Sequence, residues 1–403
     1  MKTTKSIFFA FSLSLAVLAS CNKNESFIGS QEAPVAAKTT TSTLKSGSLG
    51  GKYIVVLKKD AQIASLDVNS KKEKVKAKAN GLLRKYEITG EMEELYETAL
   101  QGFSIRLSPG QLAKLEADGD VKSIEADQEV TLSGKRTTKP APVTTTPTTT
   151  TPTQNIPWGI TRVGGGSTYT GSGSAWVIDS GIDLTHPDLN VDAARGISYV
   201  TGVASPNDDN GHGTHVAGTI AAINNSVGVV GVAAGAKIIP VKVLDSTGSG
   251  TFSGVLAGIN YVAANGQAGD VANMSLGGGI SPTIYAAVVA ASAVVRFAVA
   301  AGNESDNALN HSPARAEGAN IFTVSAMASG DTWASFSNYG TPVDYCAPGV
   351  SIYSTYKNGG YAAMSGTSMA APHVAGLLLL GNITTNGHVN NDPDGSADPI
   401  AYK

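Results

Sequence analysis

Three short segments carry residue types that together could perform nucleophilic catalysis. Ser368 lies in residues 366–373 and precedes a helix-forming apolar run. Its hydroxyl is therefore predicted at a helix N-terminus, where backbone N–H groups and the helix dipole favour negative charge. A serine is a weak nucleophile until a base and an orienting acid activate it. His212, in residues 211–218, and Asp179, after an apolar strand, are residues of the required types.

Families of enzymes with such a triad differ in the order of the three residues along the chain. Asp179, His212 and Ser368 follow the order found in subtilisin, whereas chymotrypsin and the α/β-hydrolases have other orders. Residues 177–182, 211–218 and 366–372 resemble the three signature blocks of subtilisin-type serine proteases, and residues 241–250 resemble the proteinase K branch. The resemblance implies a secreted serine endopeptidase. In that family Ser368 would attack the peptide carbonyl, His212 would act as base, and Asp179 would orient the imidazole.

The resemblance also implies a substrate cleft. Asn303 is expected to donate a hydrogen bond to the tetrahedral intermediate, with the Ser368 N–H as second donor. Extended substrate is expected to pair with two backbone edges and to fill a pocket with small apolar walls. By this resemblance, the edges and walls would be formed by Gly248, Ser249, Gly250, Ser275, Leu276, Gly277, Ala300, Ala301 and Gly302. No charged residue is expected in the pocket, which favours apolar or aromatic side chains before the scissile bond.

A metal-dependent hydrolase is one alternative. The residues that could suggest catalytic zinc are Asp179, His186, Asp188, His212 and His215, with His373 nearby in the serine segment. However, His212 and His215 are three residues apart, and no Glu-containing zinc motif accompanies them. Turn or core positions are therefore predicted for His186, His215 and His373. A non-catalytic binding protein on a protease scaffold is a further alternative.

A structural calcium ion is the only metal that the resemblance implies, and no catalytic cofactor is expected. Asp344 matches a carboxylate that holds calcium in proteinase K-like enzymes. Residues 319–321 lack the proline of that branch. Residues 390–395 form a second oxygen-rich segment, which is either another candidate or an exposed turn.

Residues 157–403 are predicted to form an α/β domain. The apolar strands are predicted at residues 174–178, 238–243, 271–274, 297–300 and 321–324, and the helices at 212–222, 253–264, 284–291 and 368–380. Continuous apolar strands alternating with helices indicate a mostly parallel sheet with helices on both faces. Reactive groups gather at the carboxyl ends of strands in such sheets.

Residues 51–132 are predicted to form a smaller α+β domain. Their strands and helices follow the order β-α-β-β-α-β, which is typical of a split-βαβ, ferredoxin-like sandwich. The segment resembles the propeptide of secreted subtilisins, which implies a folding template whose C-terminal strand blocks the cleft. An independent binding domain is the alternative. Residues 133–156 are rich in Thr and Pro and are predicted to be an extended linker.

The N-terminus has the features of an export signal. Residues 1–20 combine two lysines with a largely apolar stretch and end before Cys21. This pattern resembles a bacterial lipoprotein signal, and an ordinary secretory signal is the alternative. We expect Cys21 to carry lipid, residues 21–50 to form a flexible tether, and the precursor to be anchored to the cell envelope. The catalytic domain would then be released by cleavage within residues 132–155.

Composition limits the partners of the chain. Among its 403 residues, 42% are hydrophobic and 15% charged. Residues 1–156 carry 21 basic and 16 acidic side chains, and residues 157–403 carry 8 and 16, so the two halves could attract one another. The acidic half has no basic stripe, so nucleic acid is not expected as a partner. We expect a monomer that acts on polypeptides. Cys346 is expected to be a buried free thiol.

Overall fold

The computed structural model describes residues 49–132 and 153–403, which lie in one compact unit. The predicted signal and most of the predicted tether and linker, including Cys21, lie outside the described residues. None of the helices in the part of the chain that is described is long and apolar enough to cross a membrane. Cys346 is buried with a free thiol, as predicted.

The N-terminal domain is built around one antiparallel sheet. Its elements are β1 (Lys52–Leu57), α1 (Ala61–Ala64), α2 (Val68–Lys85), β2 (Met92–Tyr96), β3 (Gly102–Arg106), α3 (Pro109–Glu116), β4 (Val121–Ala126) and β5 (Glu129–Thr131). The first four strands pair in the order β2-β3-β1-β4, and every pair is antiparallel. This is the strand order of the predicted ferredoxin-like sandwich.

Local sequence explains why these elements begin where they do. Asp67 accepts a hydrogen bond from the Ser70 N–H and caps α2, while Ser108 and Gln111 form a capping box around Pro109 at the start of α3. All six residues of β1 are buried: Tyr53, Val55 and Leu57 pack in one core with side chains from α2 and α3, whereas Ile54 and Val56 on the other face belong to the core that contains residues of the C-terminal domain. The domain therefore has its own hydrophobic core.

The C-terminal domain contains the longer series of elements. These are α4 (Trp158–Arg162), β6 (Ser167–Thr168), β7 (Ser174–Asp179), β8 (Asn190–Val191), β9 (Ile197–Ser198), α5 (His212–Ala221), β10 (Ala233–Ala234), β11 (Lys237–Lys242), β12 (Ser249–Thr251), α6 (Phe252–Asn265), β13 (Val271–Met274), α7 (Pro282–Ala291), β14 (Arg296–Ala300), β15 (Ile321–Ala328), β16 (Thr332–Trp333), β17 (Val343–Pro348), β18 (Ile352–Tyr356), β19 (Gly360–Met364), α8 (Thr367–Leu380), β20 (Thr384–His388) and β21 (Pro399–Tyr402). Every strand and helix predicted from the sequence is present, with ends shifted by a few residues.

One large sheet organises this domain. Its strands follow the order β20-β21-β17-β15-β14-β13-β7-β11-β8, and the pairs from β21 to β8 are parallel. Helices α5 and α8 pack in the core on one face, whereas α6 and α7 pack in the core on the other. The α/β prediction is confirmed. The sequence pattern did not predict β20 and β21, which extend one edge of the sheet.

Candidate active site

A buried aspartate and a buried histidine form a pair where β7 ends and α5 begins. Asp179 is the last residue of β7, and its two carboxylate oxygens lie 2.9 and 3.0 Å from the His212 Nδ1. The Ser180 N–H donates to Asp179 Oδ1 at 2.6 Å and fixes the carboxylate. Gly213 makes this approach possible, because a side chain there would collide with the Gly181 carbonyl oxygen. The arrangement leaves the Nε2 of His212 for another partner.

Ser368 is the second residue of α8 and is buried beside Ser275. The Ser368 Oγ donates to the Ser275 carbonyl oxygen at 3.2 Å, and the Ser275 Oγ donates to the Ser368 carbonyl oxygen at 2.9 Å. Among the described residues, the hydrogen-bond partners of Ser368 Oγ are carbonyl oxygens and not His212. Such bonds in catalytic sites are often long before substrate binds.

Asn303 is oriented by the residue that precedes Ser368. Its Oδ1 accepts hydrogen bonds from the Thr367 N–H at 2.8 Å and the Thr367 Oγ1 at 3.0 Å. Because the oxygen side of the amide is held in this way, the Nδ2 group remains available as a donor. The sequence predicted this residue but not the role of Thr367.

The last strand of the N-terminal domain lies in the predicted substrate cleft. Strand β5 pairs antiparallel with β12, where Val130 is opposite Gly250. Thr131 and Gly277 exchange two backbone hydrogen bonds of 3.2 Å, and the Leu132 N–H donates to the Gly248 carbonyl oxygen at 3.2 Å. The Leu132 carbonyl oxygen lies 3.5 Å from Ser368 Oγ. Both predicted edges are therefore occupied by a segment of the same chain.

Comparison with known proteins decides the family. Residues 176–382 match the model of the subtilase family, Peptidase S8, and residues 52–133 match Peptidase inhibitor I9. The chain belongs to the subtilase family. It is therefore a subtilisin-like serine protease, a hydrolase made as a zymogen with an inhibitory propeptide, residues 52–133.

Individual relatives cover most of this subtilase. It is 40% identical over 328 residues to M-protease of Shouchella clausii, an alignment that covers 77% of this chain and 79% of the relative. It is 38% identical over 388 residues to the Extracellular serine proteinase of a Thermus species, an alignment that covers 91% of this chain and 88% of the relative. A solved structure of a cold adapted subtilisin-like serine proteinase is 38% identical, with a TM-score of 0.53, and the match covers 61% of this chain and 97% of that one.

The pocket beside Ser368 differs from the sequence-based expectation. Its lining includes the predicted walls Leu276, Gly277, Ala300, Ala301 and Gly302, together with Leu132, Asn303, Ala314, Thr367 and Ser368. Two ionisable side chains, Glu304 and His311, also line it. The prediction that no charged residue faces this pocket was wrong. Glu304 follows Asn303 directly, but His311 reaches the pocket through the fold of residues 304–314, which the sequence pattern did not indicate.

The propeptide contacts the catalytic domain through the starts of two helices. Asp127 is buried, and its carboxylate accepts hydrogen bonds from the Ser253 N–H at 2.9 Å and the Ser253 Oγ at 2.6 Å, in the first turn of α6. The Glu125 carboxylate accepts hydrogen bonds from the Thr283 N–H at 3.0 Å and the Thr283 Oγ1 at 2.6 Å, in the first turn of α7. Acidic side chains complement helix N-termini, where backbone N–H groups lack partners. No sequence motif indicated these contacts.

This interface does not depend on opposite net charges. Residues 49–132 carry 13 basic and 14 acidic side chains, so the described propeptide is close to neutral. The excess of positive charge in the first half belongs to residues 1–48 and 133–156. The attraction expected from the charges of the two halves therefore does not apply to the propeptide itself.

The remaining histidines of the metal alternative are buried and bonded to the backbone. The Nε2 of His186 lies 3.0 Å from the Gly360 carbonyl oxygen, and that of His215 lies 2.9 Å from the Ile352 carbonyl oxygen. The Nδ1 of His373 lies 2.8 Å from the Met369 carbonyl oxygen. Burial lowers the pKa of His215 to about 3 and that of His373 to about 4, which favours the neutral rings. The turn and core positions predicted for these residues match the structure.

Two places in the described chain have carboxylates that could take part in a calcium site. The Asp344 carboxylate accepts from the Thr323 N–H at 2.8 Å, and burial raises its pKa to about 6. Within residues 49–132 and 153–403, no three acidic, histidine or cysteine side chains cluster to hold a metal. A calcium site can nevertheless be built from one carboxylate with amide and backbone oxygens.

A carboxylate with amide neighbours lies at Asp188. This side chain is fully buried, with Asn225 Nδ2 2.8 Å from its Oδ1, and Gln154 Nε2 lies 3.2 Å from the Ile223 carbonyl oxygen. The Asn225 Oδ1 accepts from the Val227 N–H at 2.7 Å. Rotation of the Gln154 amide by half a turn would present an oxygen in place of its Nε2. The group combines one carboxylate with amide and backbone oxygens, the ligand types that calcium takes. The sequence pattern indicated Asp188 only as a possible zinc ligand and did not indicate the amides.

Proposed function

We propose that this subtilase hydrolyses peptide bonds with the triad Asp179, His212 and Ser368 through an acyl-enzyme. Ser368 Oγ forms a bond to the substrate carbonyl carbon while His212 Nε2 takes its proton. The tetrahedral intermediate then breaks, and His212 gives the proton to the leaving amine. Water attacks the acyl-enzyme by the same route. The observation that carries this proposal is the buried Asp179–His212 pair at the start of α5, the helix that packs against α8, which carries Ser368.

Asn303 and the Ser368 N–H supply the oxyanion site in this proposal. The negative charge forms on the former carbonyl oxygen, where preorganised donors stabilise it without having to reorganise. Thr367 supports this role, because its two hydrogen bonds hold the amide oxygen of Asn303 away from that position.

The substrate binds as an extended strand between the edge at Gly248, Ser249 and Gly250 and the edge at Ser275, Leu276 and Gly277. The way β5 pairs with these edges supports this mode of binding. Small apolar walls formed by Ala300, Ala301 and Gly302 favour an apolar or aromatic residue before the scissile bond.

The propeptide is removed by a cut at or just after Leu132, within residues 132–155. The short distance from the Leu132 carbonyl oxygen to Ser368 Oγ supports this position. The expected products are a propeptide ending near Leu132 and a catalytic domain that keeps residues 157–403. Until the propeptide leaves, the cleft is closed to other polypeptides.

The precursor is exported and anchored to the bacterial envelope through lipid on Cys21, and cleavage releases the active domain. A Cys21→Ser variant should lose membrane association, while the wild type shows a lipidated propeptide in the membrane fraction and a free catalytic domain in the medium. Intact-mass analysis of both fractions tests this. An active domain still joined to residue 21 in every fraction contradicts release.

The enzyme works as a monomer without a catalytic cofactor and without a nucleic-acid partner. A structural calcium ion is proposed as its only metal, at Asp344 or at the group around Asp188. The polypeptide substrate and the propeptide are its principal ligands.

The decisive experiment compares wild type with Ser368→Ala. We expect casein hydrolysis and labelling by a serine-directed fluorophosphonate in the wild type, and neither in the variant. Ser365→Ala, an exposed serine of the preceding loop, is the matched control and should keep both. Hydrolysis that zinc chelators abolish, with no fluorophosphonate label, would indicate the metal-dependent alternative. No hydrolysis by correctly cleaved wild type would indicate a binding protein.

A further inference from the structure

Asp208 is a buried carboxylate outside the triad. It lies in the loop before α5, and only 3% of its surface is exposed. Its Oδ1 accepts hydrogen bonds from the Ser180 Oγ at 2.9 Å, the Gly211 N–H at 2.8 Å and the Asn210 N–H at 3.0 Å. Its Oδ2 accepts from the Thr214 N–H at 2.9 Å and the Thr214 Oγ1 at 2.6 Å. A buried charge is tolerated when hydrogen bonds replace water, and both oxygens of this carboxylate are used in that way.

The donors to Asp208 belong to the two segments that carry the catalytic pair. Ser180 directly follows Asp179 at the end of β7. The other donors lie in residues 210–214, which lead into α5 and include His212. In the described chain, the Ser180 hydroxyl is the one group from the segment of Asp179 that donates to this carboxylate. Asp208 therefore joins the turn after the triad aspartate to the turn that carries the triad histidine.

Ser180 transmits this contact to the triad. Its N–H donates to Asp179 Oδ1 at 2.6 Å, and its Oγ accepts from the Gly213 N–H at 3.0 Å while it donates to Asp208. Its carbonyl oxygen accepts from the Nζ of Lys242 at 2.6 Å, and the Lys242 side chain is fully buried. Because the Ser180 N–H is a donor that fixes the Asp179 carboxylate, a displacement of Ser180 would displace that carboxylate too.

We propose that Asp208 is a positioning residue of this protease, which acts through Ser180 to hold the Asp179 carboxylate against the His212 imidazole. None of its hydrogen-bond partners in the described chain is a triad side chain, so its effect on the reaction is indirect. The proposal rests on the proposed function, in which His212 takes the proton of Ser368. That proton transfer requires a fixed imidazole.

Asparagine cannot replace Asp208, although the two side chains have nearly the same shape. An amide has one acceptor oxygen, whereas both oxygens of Asp208 accept from backbone N–H groups of residues 210–214. Whichever way the amide turns, its NH2 group faces at least one of these donors, so the segment has to shift. A displacement of about 1 Å in a catalytic site can lower the rate about 100-fold.

The first test compares the kinetics of mature Asp208→Asn and wild type on one peptide substrate. Titration with a fluorophosphonate gives the concentration of active sites, so misfolded protein is not counted. We expect kcat to fall about 10- to 100-fold while KM stays within about twofold, because the substrate-binding edges are untouched. An unchanged kcat overturns the proposal.

Asp183→Asn is the matched control. Asp183 is also buried, with 5% of its surface exposed, but its carboxylate accepts hydrogen bonds from Thr185 and Gly359, which contact neither Asp179 nor His212. This variant should keep kcat even if it unfolds at a lower temperature. An equal loss of kcat in both variants shows a general effect on the fold and overturns the positioning role.

A double variant tests whether Asp208 acts through Ser180. Ser180→Ala removes the hydroxyl that joins Asp208 to the segment of Asp179, so either substitution breaks the same connection. The loss of kcat in Ser180→Ala/Asp208→Asn should be at least threefold smaller than the product of the two single losses, as expected for coupled residues. A loss equal to that product shows independent effects and overturns the route through Ser180.

A spectroscopic measurement covers the case in which Asp208→Asn does not mature. In the uncleaved Ser368→Ala chain, the proton between His212 Nδ1 and Asp179 is followed by its NMR signal and its exchange with water. We expect exchange to accelerate at least tenfold on adding Asp208→Asn and to stay unchanged on adding Asp183→Asn. Equal exchange with and without Asp208→Asn overturns the proposal.

The wild-type enzyme separates this proposal from the proposed function. If wild type cleaves no peptide and Ser368 cannot be labelled, the proposed triad fails. If wild type is active and Asp208→Asn matches it in kcat and in proton exchange, only the inference about Asp208 fails.

Discussion

At the scale of single residues, the hydrogen bonds to the amide oxygen of Asn303 determine how its amide nitrogen can act. Thr367 donates to the amide oxygen, so the amide nitrogen is the group that remains available as a donor in the proposed oxyanion site. We predict that Asn303→Ala lowers kcat about 100- to 1000-fold with little change in KM, the magnitude known for loss of such a donor in subtilisin, the namesake of the family. Asn382→Ala, at an exposed position, is the control. Equal kcat in both variants would contradict this role.

Asp398 gives a prediction about pH at the same scale. Burial, together with nearby carboxylates, raises the pKa of Asp398 to about 7, while its Oδ2 accepts from Ser325 Oγ at 2.6 Å. An unfolded aspartate titrates near 3.9, so the protonated form stabilises the fold fully below that pH, and this contribution is lost as pH rises through about 7.

Replacing this carboxyl group with an amide should remove that pH dependence. In a Ser368→Ala background, which prevents autolysis, Asp398→Asn should raise the free energy of unfolding at pH 8 by on the order of 2 kcal/mol and have a much smaller effect at pH 4. Thermal unfolding at the two pH values measures this. A variant that is equally or more destabilised at pH 8 than at pH 4 would show that the ionised carboxylate is needed, for example by a cation.

At the scale of secondary-structure elements, the propeptide completes two helices that belong to the catalytic domain. Asp127 satisfies donors at the start of α6 that would otherwise be left to water or remain unpaired. This explains how a domain of near-neutral charge can bind an acidic partner. The same contacts are expected to stabilise two helices on one face of the parallel sheet, which would link inhibition to folding.

We predict that Asp127→Ala loosens this contact without unfolding either domain. Hydrogen bonds to a charged group contribute about 1.5–3 kcal/mol, so amide exchange in the first turn of α6 should accelerate roughly 10- to 100-fold in the full-length Ser368→Ala chain. Asp120→Ala changes an aspartate that pairs with Lys78 within the propeptide, and it serves as control. Identical exchange of residues 252–255 in both variants would refute the helix-capping role.

At the scale of the whole molecule, the two candidate calcium sites can be distinguished by how a chelator changes the melting temperature of variants. If the group around Asp188 holds calcium, a chelator should lower the melting temperature of the Ser368→Ala protein by several degrees, since loss of about 1 kcal/mol shifts it by roughly 2–4 °C in a domain of this size. The shift should persist in Asp344→Asn and disappear in Asp188→Asn. Persistence only in Asp188→Asn would assign the ion to Asp344.

The sequence by itself determined the order of the triad, the two domains and nearly every element that positions the site. These are local properties. Strand and helix patterns depend on neighbouring residues, and the signature segments at Asp179, His212 and Ser368 can be recognised without knowing where the fold places them. Asn303 was predicted in the same way.

Only the tertiary structure decided which side chains from distant segments meet. His311 joins Glu304 in the pocket, Asp127 caps a helix that begins at Phe252, and Asn225 contacts Asp188. The periodicity of apolar residues does not predict such contacts, because each contact depends on how loops and domains pack after the helices and strands have formed. That is why the sequence predicted the catalytic chemistry around Ser368, while the ionisable side chains that line the neighbouring pocket became visible only in the folded chain.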